Sequence, residues 1–349
     1  MHYIYIDSKI EGTYKILINY FNLNIFDKRK FIVLIKNYKS IKKFISLLRK
    51  KHIPIQLISK WSDLPSLNGA TVLYLFNAQS NCRLVNYREA THIFIGHGES
   101  NKLASAKPIF RIYDYIAVAG SASIDRFIAQ DIFTQCDVKQ KKFLKVGNKF
   151  IGEAFYSYDK QSKTLLYAPT WEGGIKEENY SSLNASLKNF ELIIKYMKEH
   201  NYKEIIIQPH PNTGHREKKT IKYLLEGIKL LNKERFQIYL KQFKLPLFYK
   251  WNLNIKLVSS NEIKKVSVAF CDVSAMEIQL LEKEIPTYIF FTQAKSLVPQ
   301  NEITKKYYDI VGIKNYTSPL KPVENSLLLE VKKYYIEHNI NFSHSKYFE

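Results

Sequence analysis

The sequence has few of the residues from which disulfide frameworks, zinc sites and disordered segments are built. Its three cysteines, Cys82, Cys136 and Cys271, lie far apart and show no Cys-x-x-Cys spacing. This argues against a disulfide framework or a zinc site and fits a reducing cytoplasm. Glycine and proline are scarce, at 12 and 11 among 349 residues, so the chain is not a low-complexity or disordered sequence.

Several long or specific patterns are also absent. No stretch of about 18 apolar residues occurs, so we expect no transmembrane helix. The first residues show no basic region followed by a long apolar run, so we expect no signal peptide. Walker A, GxGxxG and HExxH motifs, zinc-finger spacing and RNP-like aromatic motifs are missing. We therefore expect no metal site, no cofactor and no specific nucleic-acid partner.

What is present is a well-filled core and a large positive charge. Hydrophobic residues make up 46% of the chain, with 25 Tyr and 21 Phe, and the length is comfortable for two domains. A net charge of +21 attracts polyanions such as nucleic acid, anionic lipid head groups or phosphorylated substrates. A lysine-rich surface that serves only solubility has the same composition. We expect a cytoplasmic protein, peripheral on the inner, anionic face of the membrane.

Strand and helix patterns alternate along both halves of the chain. Apolar runs predict strands at 3–6, 31–35, 53–58, 71–76, 93–95, 115–120 and 143–147, then at 164–167, 204–207, 266–270 and 286–291. Helical spacing predicts helices at 10–21, 40–51, 121–129, 182–197, 220–231, 274–281 and 323–338. Such alternation is typical of parallel, doubly wound sheets.

The pattern breaks into a polar, aromatic segment between residues 148 and 163. We place a domain boundary there, giving an N-terminal domain at 1–155 and a C-terminal domain at 156–349. The fold class predicted is α/β, with two Rossmann-like domains that face each other across a cleft. The last helix is expected to pack back on the first domain.

The stretch 91–102, with the sequence THIFIGHGESNK, carries the first candidate site. An apolar run is followed by Gly96, His97 and Gly98, which predicts a buried strand ending in a tight turn that presents one imidazole. Glycine on both sides allows positive φ and a close approach of substrate. An imidazole with a reference pKa of about 6.5 suits acid–base chemistry. A histidine in an ordinary surface turn has the same local pattern.

Two strand-end turns of the second half would line one side of such a cleft. The turn YAPTWEGG, at 167–174, presents Thr170 and Trp171, although a packed tryptophan at a strand end is an equally ordinary interpretation. In QPHP, at 208–211, His210 lies between two prolines that fix φ on both sides. A rigidly aimed imidazole suits donation to a phosphate oxygen, and a buried or capping histidine is the alternative.

A third turn, CDVSAME at 271–277, follows another buried strand. It delivers Asp272 and then places Ser274 and Glu277 in the S-x-x-E pattern of a capping box. The pattern predicts a well-capped helix. Free N–H groups and the dipole at that helix start also suit a diphosphate, and the two interpretations are compatible.

Four segments together resemble the CDP-glycerol glycerophosphotransferase family, which builds teichoic acids and related capsule polymers. They are IGHGESNK, LLYAPTWEGG, QPHPN and FCDVSAMEIQLLEKEIPTYIF, in the order and at roughly the separations of that family. The resemblance spans residues 92–291. It implies a GT-B fold, with an N-terminal acceptor domain and a C-terminal domain that binds a CDP-activated donor.

The resemblance also implies roles for the candidate residues. His97 would be the base that deprotonates the acceptor hydroxyl, and His210 would stabilise the donor phosphates by contact. The donor and phosphate side would comprise Thr170, Trp171, Asp272, Ser274 and Glu277. The acceptor-side loop would comprise Gly96, Gly98, Glu99, Ser100 and Lys102.

The reaction implied is in-line attack on the β-phosphorus of a CDP-polyol, with CMP as leaving group and a lipid-linked or oligosaccharide acceptor. Charge developing on phosphate oxygens would be stabilised by hydrogen-bond donors and nearby cations. Departures from the family pattern leave the donor open among glycerol, ribitol and another activated group such as a nucleotide sugar. The departures are 99–101 (ESN) in place of Thr-Pro-Leu, Glu172 in place of an arginine, and Ala275 in place of a second serine.

Two other functions stay open on the sequence. One is a GT-B glycosyltransferase that uses a nucleotide sugar in capsule or lipooligosaccharide synthesis. The other is a non-catalytic, basic protein that binds nucleic acid through its charge.

Overall fold

The computed structural model describes residues 2–241, 243, 255–259, 262–291, 296–317 and 319–337. The chain divides into two compact units. Of the described residues, unit 1 comprises 2–99, 106–152 and 336–337, and unit 2 comprises 100–105 and those between 153 and 335. The main boundary between the units lies between residues 152 and 153. The short excursion of residues 100–105 into unit 2 is an addition that no local pattern predicts.

Unit 1 contains one parallel sheet of seven strands in the order β3-β2-β1-β4-β5-β6-β7. The strands are β1 (His2–Ile6), β2 (Phe31–Lys36), β3 (Ile55–Ile58), β4 (Thr71–Tyr74), β5 (Thr91–Phe94), β6 (Tyr115–Val118) and β7 (Phe143–Lys145). The helices are α1 (Glu11–Asn22), α2 (Lys42–Lys50), α3 (Cys82–Val85), α4 (Ser121–Ala129) and α5 (Gln135–Lys139).

The sheet of unit 1 is buried on both faces, which explains its continuous apolar strands. Along β2, Val33 and Ile35 enter one apolar cluster, whereas Leu34 enters the other. Successive side chains of a strand point to opposite faces, so a strand covered on both sides needs apolar residues at every position.

Unit 2 contains a second parallel sheet of seven strands in the order β12-β11-β10-β9-β14-β15-β16. These strands are β9 (Thr164–Ala168), β10 (Glu204–Ile207), β11 (Gln237–Lys241), β12 (Ile255–Val258), β14 (Val268–Asp272), β15 (Thr287–Phe290) and β16 (Gly312–Ile313). A separate pair joins β8 (Tyr156–Tyr158) to β13 (Lys264–Val266). The α-helices among the described residues of unit 2 are α6 (Lys188–Glu199), α7 (Lys219–Lys233), α8 (Ala275–Glu282), α9 (Glu302–Val311) and α10 (Asn325–Tyr335).

Both sheets reverse their strand order at one internal point, between β1 and β4 in unit 1 and between β9 and β14 in unit 2. Two parallel, doubly wound sheets in one chain confirm the predicted α/β class with two Rossmann-like domains. Ligands of such sheets bind outside the carboxyl ends of the strands, at the point of reversal. Candidate ligand-binding residues should therefore be sought in each unit by itself, near the ends of β1, β4 and β5 in unit 1 and near the ends of β9 and β14 in unit 2.

Two predicted helices differ from the observed ones. The helix expected from residue 182 begins only at Lys188, because Leu187 has φ 54° and the hydroxyls of Ser181 and Ser182 bind other groups. The last helix, expected over 323–338, is α10 and belongs to unit 2; His338 lies outside the described residues. The chain returns to unit 1 directly afterwards, where the Glu337 carboxylate lies 2.6 Å from Lys145 Nζ.

Every helix in the described ranges is too short or too polar to cross a lipid bilayer.

Candidate functional site

In unit 1, β5 delivers His97 in a turn that only glycine flanks suit. Gly96 has φ 70° and Gly98 has φ 153°, as the Gly-His-Gly sequence predicts. A side chain in place of Gly96 would be strained in this left-handed conformation. The imidazole follows the carboxyl end of β5, and its hydrogen-bond partner follows the end of the neighbouring β4.

The contacts of His97 decide where its proton lies. Nδ1 is 2.8 Å from the carbonyl oxygen of Leu75, which can only accept, so Nδ1 carries the hydrogen. The ring packs on Phe76 with centroids 4.4 Å apart. Burial by the surrounding protein lowers the pKa of His97, and the Leu75 carbonyl opposes this only in part. The neutral ring therefore offers its Nε2 lone pair as a base near neutral pH.

The other residues predicted for the acceptor-side loop separate into two groups. Glu99 belongs to unit 1 and accepts hydrogen bonds from Ser123 Oγ at 2.7 Å and from the buried Arg126 at 2.5 Å. Its carboxylate thus neutralises a buried guanidinium, which is a structural task. Ser100 and Lys102 belong to unit 2 instead, so they do not lie in the unit that carries His97.

At the point of reversal in unit 2, Asp272 ties two strand ends together. Its Oδ2 accepts a 2.7 Å hydrogen bond from the backbone N–H of Thr170, which follows β9. The Thr170 carbonyl in turn accepts from Ser181 Oγ at 2.8 Å. Burial raises the pKa of Asp272 to about 7, against the opposing hydrogen bonds from Ser182 and Thr170. This carboxyl group fixes the backbone where β9 and β14 end.

His210 is held beside the same strand ends with the opposite proton placement. Its backbone N–H donates to the Pro169 carbonyl at 3.1 Å, and its Nδ1 accepts from the Asn212 N–H at 3.1 Å. The Trp171 ring stacks on it with centroids 5.7 Å apart and planes at 17°. Burial and the Lys102 cation lower its pKa to about 4. His210 is therefore neutral near pH 7, with a hydrogen on Nε2 that is ready to donate.

Glu172 anchors the loop that follows His210. Its buried carboxylate accepts hydrogen bonds from the backbone N–H groups of Gly214 at 3.0 Å, Arg216 at 2.8 Å and Glu217 at 2.9 Å. Burial alone would raise its pKa, but these bonds outweigh burial and lower the pKa. Gly173 beside it has φ 73°, and a Cβ there would lie 2.4 Å from the Glu178 carbonyl oxygen, so the glycine is required.

The predicted capping box at the start of α8 does not form. Ser274 is the N-cap residue but makes no capping side-chain hydrogen bond. Glu277 turns instead to Asn101, whose Nδ2 donates to Oε1 at 3.2 Å, and to the Tyr308 hydroxyl. Asn101 comes from the excursion of residues 100–105, and this long-range competitor for Glu277 could not be recognised locally. The buried Ser274 hydroxyl finds no hydrogen-bond partner among the described residues.

Lys102 reaches the Thr170 side of the site. Its Nζ donates to Thr170 Oγ1 at 2.9 Å and lies 5.4 Å from the centre of the Tyr180 ring. Burial lowers its pKa to about 8, with Asp272 opposing this most among the acidic groups. Unit 2 therefore brings together Lys102, Thr170, Asp272 and His210, which were predicted from four separate stretches of sequence.

Sequence reasoning missed the residues that hold these groups in place, namely Asn101, Tyr180, Ser181, Ser182 and Tyr308. In the sequence, four of these residues are ordinary polar or tyrosine residues of loops, and Tyr308 is an ordinary aromatic residue of a helix. Nothing local marks them as partners of the site. Among the described residues, no three His, Cys, Asp or Glu side chains come together in a group that could hold a metal ion.

No protein-family model and no curated protein matches this sequence. Among solved structures, S. aureus MnaA with UDP is similar over 98% of this chain and 89% of its own, with 9% identity and a TM-score of 0.45. The wall teichoic acid polymerase TagF is similar over 95% and 79%, with 12% identity and a TM-score of 0.37. MurG of Acinetobacter baumannii is similar over 97% and 95%, with 9% identity and a TM-score of 0.38. Likeness at this level carries no information about substrate or reaction.

Proposed function

We propose that this chain transfers a polyol-phosphate, such as glycerol- or ribitol-phosphate, from a CDP-linked donor to an acceptor hydroxyl and releases CMP. The acceptor is a lipid-linked or oligosaccharide chain, and the product belongs to a cell-surface polymer such as teichoic acid or capsule. The observation that carries the proposal is the opposite proton placement on His97 and His210. It gives one neutral histidine a free base nitrogen and the other a free donor.

The two histidines supply complementary parts of the reaction. His97 Nε2 accepts the proton of the acceptor hydroxyl as its oxygen forms a bond to the donor's β-phosphorus. The bond from that phosphorus to the bridging oxygen breaks, and the bridging oxygen leaves with CMP. The proton stays on His97 until it exchanges with solvent. His210 Nε2–H donates to a phosphate oxygen, where negative charge grows in the transition state.

The donor's phosphates also fit the start of α8. Ser274 is buried there, and its hydroxyl finds no hydrogen-bond partner among the described residues. The first N–H groups of a helix and its dipole favour an anion. A diphosphate would satisfy both the hydroxyl and these N–H groups. Thr170, Trp171 and Asp272 complete the proposed donor side, with Asp272 fixing the backbone rather than touching the phosphates.

We also propose an anionic membrane surface as a partner, and α2 as the part of unit 1 that meets it. Residues 38–52 contain six Lys or Arg and no Asp or Glu. Lys42, Lys43, Arg49 and Lys50 are exposed, and Leu47 between them is 40% exposed. A basic face with an exposed apolar side chain suits the head-group region of an anionic bilayer.

Ligand selectivity tests the proposed function. Thermal shift and calorimetry should compare CMP, CDP-glycerol and CDP-ribitol with UDP, GDP and their sugars. Selective stabilisation by the cytidine ligands is expected. Preference for a uridine or guanosine ligand would favour a nucleotide-sugar transferase, which releases a nucleoside diphosphate instead of CMP. Binding of none of them, together with salt-sensitive binding of DNA or RNA, would favour the nucleic-acid-binding alternative.

A further inference from the structure

We propose that Lys102 is a phosphate-binding residue on the donor side, supplied to unit 2 by the segment that follows His97 in the sequence. The inference rests on the proposed function, because it assumes a nucleotide donor bound by unit 2. It moves Lys102 from the acceptor-side loop, where the sequence places it, to the phosphates of the donor.

The first argument is that the ammonium of Lys102 has hydrogens to spare. It donates one hydrogen bond, to Thr170 Oγ1, and lies over the Tyr180 ring. An ammonium carries three donors and no acceptor. Within the described residues no carboxylate lies at ion-pair distance from it. Two N–H donors thus remain for a ligand.

The second argument is that Lys102 is held in place from both sides. The carbonyl of the preceding Asn101 accepts a 2.7 Å hydrogen bond from the Leu297 N–H, and the Asn101 side chain binds Glu277 and Tyr308. The N–H of the following Leu103 donates to the Tyr180 hydroxyl at 3.0 Å. A lysine on an anchored backbone loses less freedom when it binds a ligand than one on a free loop.

The third argument is electrostatic. Burial lowers the pKa of Lys102 to about 8, which means that the folded protein holds a poorly compensated cation at neutral pH. A phosphate supplies the missing counter-charge, and hydrogen bonds between an ammonium and a phosphate oxygen are among the strong ones. The Lys102 cation also contributes to the low pKa of His210, so the two groups lie within electrostatic reach of each other. One diphosphate can therefore be shared by both.

In the reaction, Lys102 would act without giving up a proton. As the bond from the β-phosphorus to the bridging oxygen breaks, negative charge grows on the departing CMP phosphate. A fixed ammonium stabilises this charge more than the charge of the bound donor, so it lowers the barrier as well as aiding binding.

The test is calorimetric binding of cytidine, CMP and CDP to the wild type and to Lys102→Met. We expect Lys102→Met to weaken CDP at least about tenfold and to leave cytidine nearly unchanged, since a charge-assisted bond is lost. Lys102→Arg should retain part of the affinity. The control is Lys160→Met, which removes the same charge from an exposed turn of unit 2 and should bind CDP like the wild type.

Thermal unfolding of the unliganded variants separates binding from folding. Removal of a desolvated charge should leave Lys102→Met as stable as the wild type. If it unfolds instead, Lys102→Gln keeps a donor for Thr170 and repeats the test without the charge. The proposal would be overturned if the affinity of Lys102→Met for CDP were within about twofold of the wild-type value. The same criterion applies to Lys102→Gln if Lys102→Met does not fold.

The same calorimetry with UDP added to the ligands distinguishes this inference from the proposed function. A wild type that prefers UDP to CDP, with the phosphate-dependent affinity still lost in Lys102→Met, would refute CDP specificity and support the role of Lys102. A wild type that prefers CDP, with unchanged CDP affinity in Lys102→Met, would support CDP specificity and refute the role of Lys102. Absence of any nucleotide binding would refute both.

Discussion

The Glu172 carboxylate accepts a 2.8 Å hydrogen bond from the backbone N–H of Arg216, while the Arg216 side chain donates to the Glu172 carbonyl at 2.7 Å. This reciprocal pair joins the loop after β9 to the loop that leads into α7. The resembling family often has an arginine at the position of Glu172, which suggested an altered donor. The buried carboxylate has a structural task here, so this departure alone does not require a different donor.

Glu172→Gln should destabilise the protein and impair donor use. A glutamine amide places an N–H group against backbone N–H donors, so we expect a loss of about 1–3 kcal/mol in the free energy of unfolding. The loop that Glu172 anchors begins directly after His210. A looser loop would let His210 move, so KM for the donor should rise. The control is Glu177→Gln, an exposed residue nearby. Equal stability of both variants in chemical denaturation would show that Glu172 does not anchor the loop.

His97→Ala should abolish transfer with little change in stability. The imidazole contributes one hydrogen bond, to the Leu75 carbonyl, and one ring contact, with Phe76, so its removal costs little stability, whereas loss of a general base costs at least about a hundredfold in rate. The measurement is CMP release with a CDP-polyol and acceptor, alongside the thermal midpoint. His200→Ala, an exposed histidine on the end of α6, is the control. Retained turnover in His97→Ala would exclude the base role.

His210→Ala should mainly damage use of the donor. The variant loses the Nε2–H donor and the ring that stacks on Trp171, so affinity for the CDP-linked donor should fall, together with the maximal rate. His210→Gln keeps a side-chain N–H and should retain part of the activity. Steady-state kinetics with varied donor is the measurement. Unchanged donor kinetics in His210→Ala would contradict the assignment.

Asp272 should make stability fall as pH rises from about 4 to about 7. Its pKa in the folded state, about 7, is raised by burial above the ordinary value of 3.8, so the folded protein keeps a proton that the unfolded chain has released. His210 acts in the opposite sense, because its folded pKa of about 4 makes stability fall as pH drops.

Comparison of Asp272→Asn with the wild type isolates the first effect. The free energy of unfolding of Asp272→Asn minus that of the wild type should increase as pH rises from about 4 to about 7. Above pH 7 this difference should stay constant. Asp131→Asn, at an exposed position, should show no such trend. A difference independent of pH for Asp272→Asn would mean that this carboxyl group titrates normally.

Charge reversal on α2 should weaken membrane binding without affecting the chemistry. The triple variant Lys39→Glu, Lys42→Glu and Lys50→Glu removes three exposed cations, one just before α2 and two within it. Co-sedimentation with vesicles containing anionic lipid should drop, while turnover of a soluble acceptor stays the same. Lys160→Glu, Lys188→Glu and Lys203→Glu change the net charge equally in unit 2. Equal loss of vesicle binding in both triples would show that net charge, and no particular surface, attracts the lipid.

Local patterns were sufficient for the seven strands of the unit 1 sheet and for the turn that carries His97, but they missed β11, β12 and β16 of the unit 2 sheet. Strands buried on both faces, such as β2, leave an unmistakable apolar run, and the positive φ of Gly96 follows from its neighbours. The same reasoning overextended α6, because serine hydroxyls that seem helical in sequence can bind loop groups instead. It also assigned Glu277 to a cap, because Asn101, its true partner, lies 176 residues away in sequence.

The chain passes from unit 1 to unit 2 after residue 99 and back after residue 105. It passes between the units again after residues 152 and 335. Neither unit is thus a single uninterrupted length of polypeptide. A gene fragment that encodes residues 153–335 alone would omit Asn101 and Lys102. If the second half were exchanged between related proteins, Glu277 and Tyr308 would therefore face a segment inherited from the other parent. Recombination that respects this architecture has to carry the six-residue insert together with the half to which it belongs.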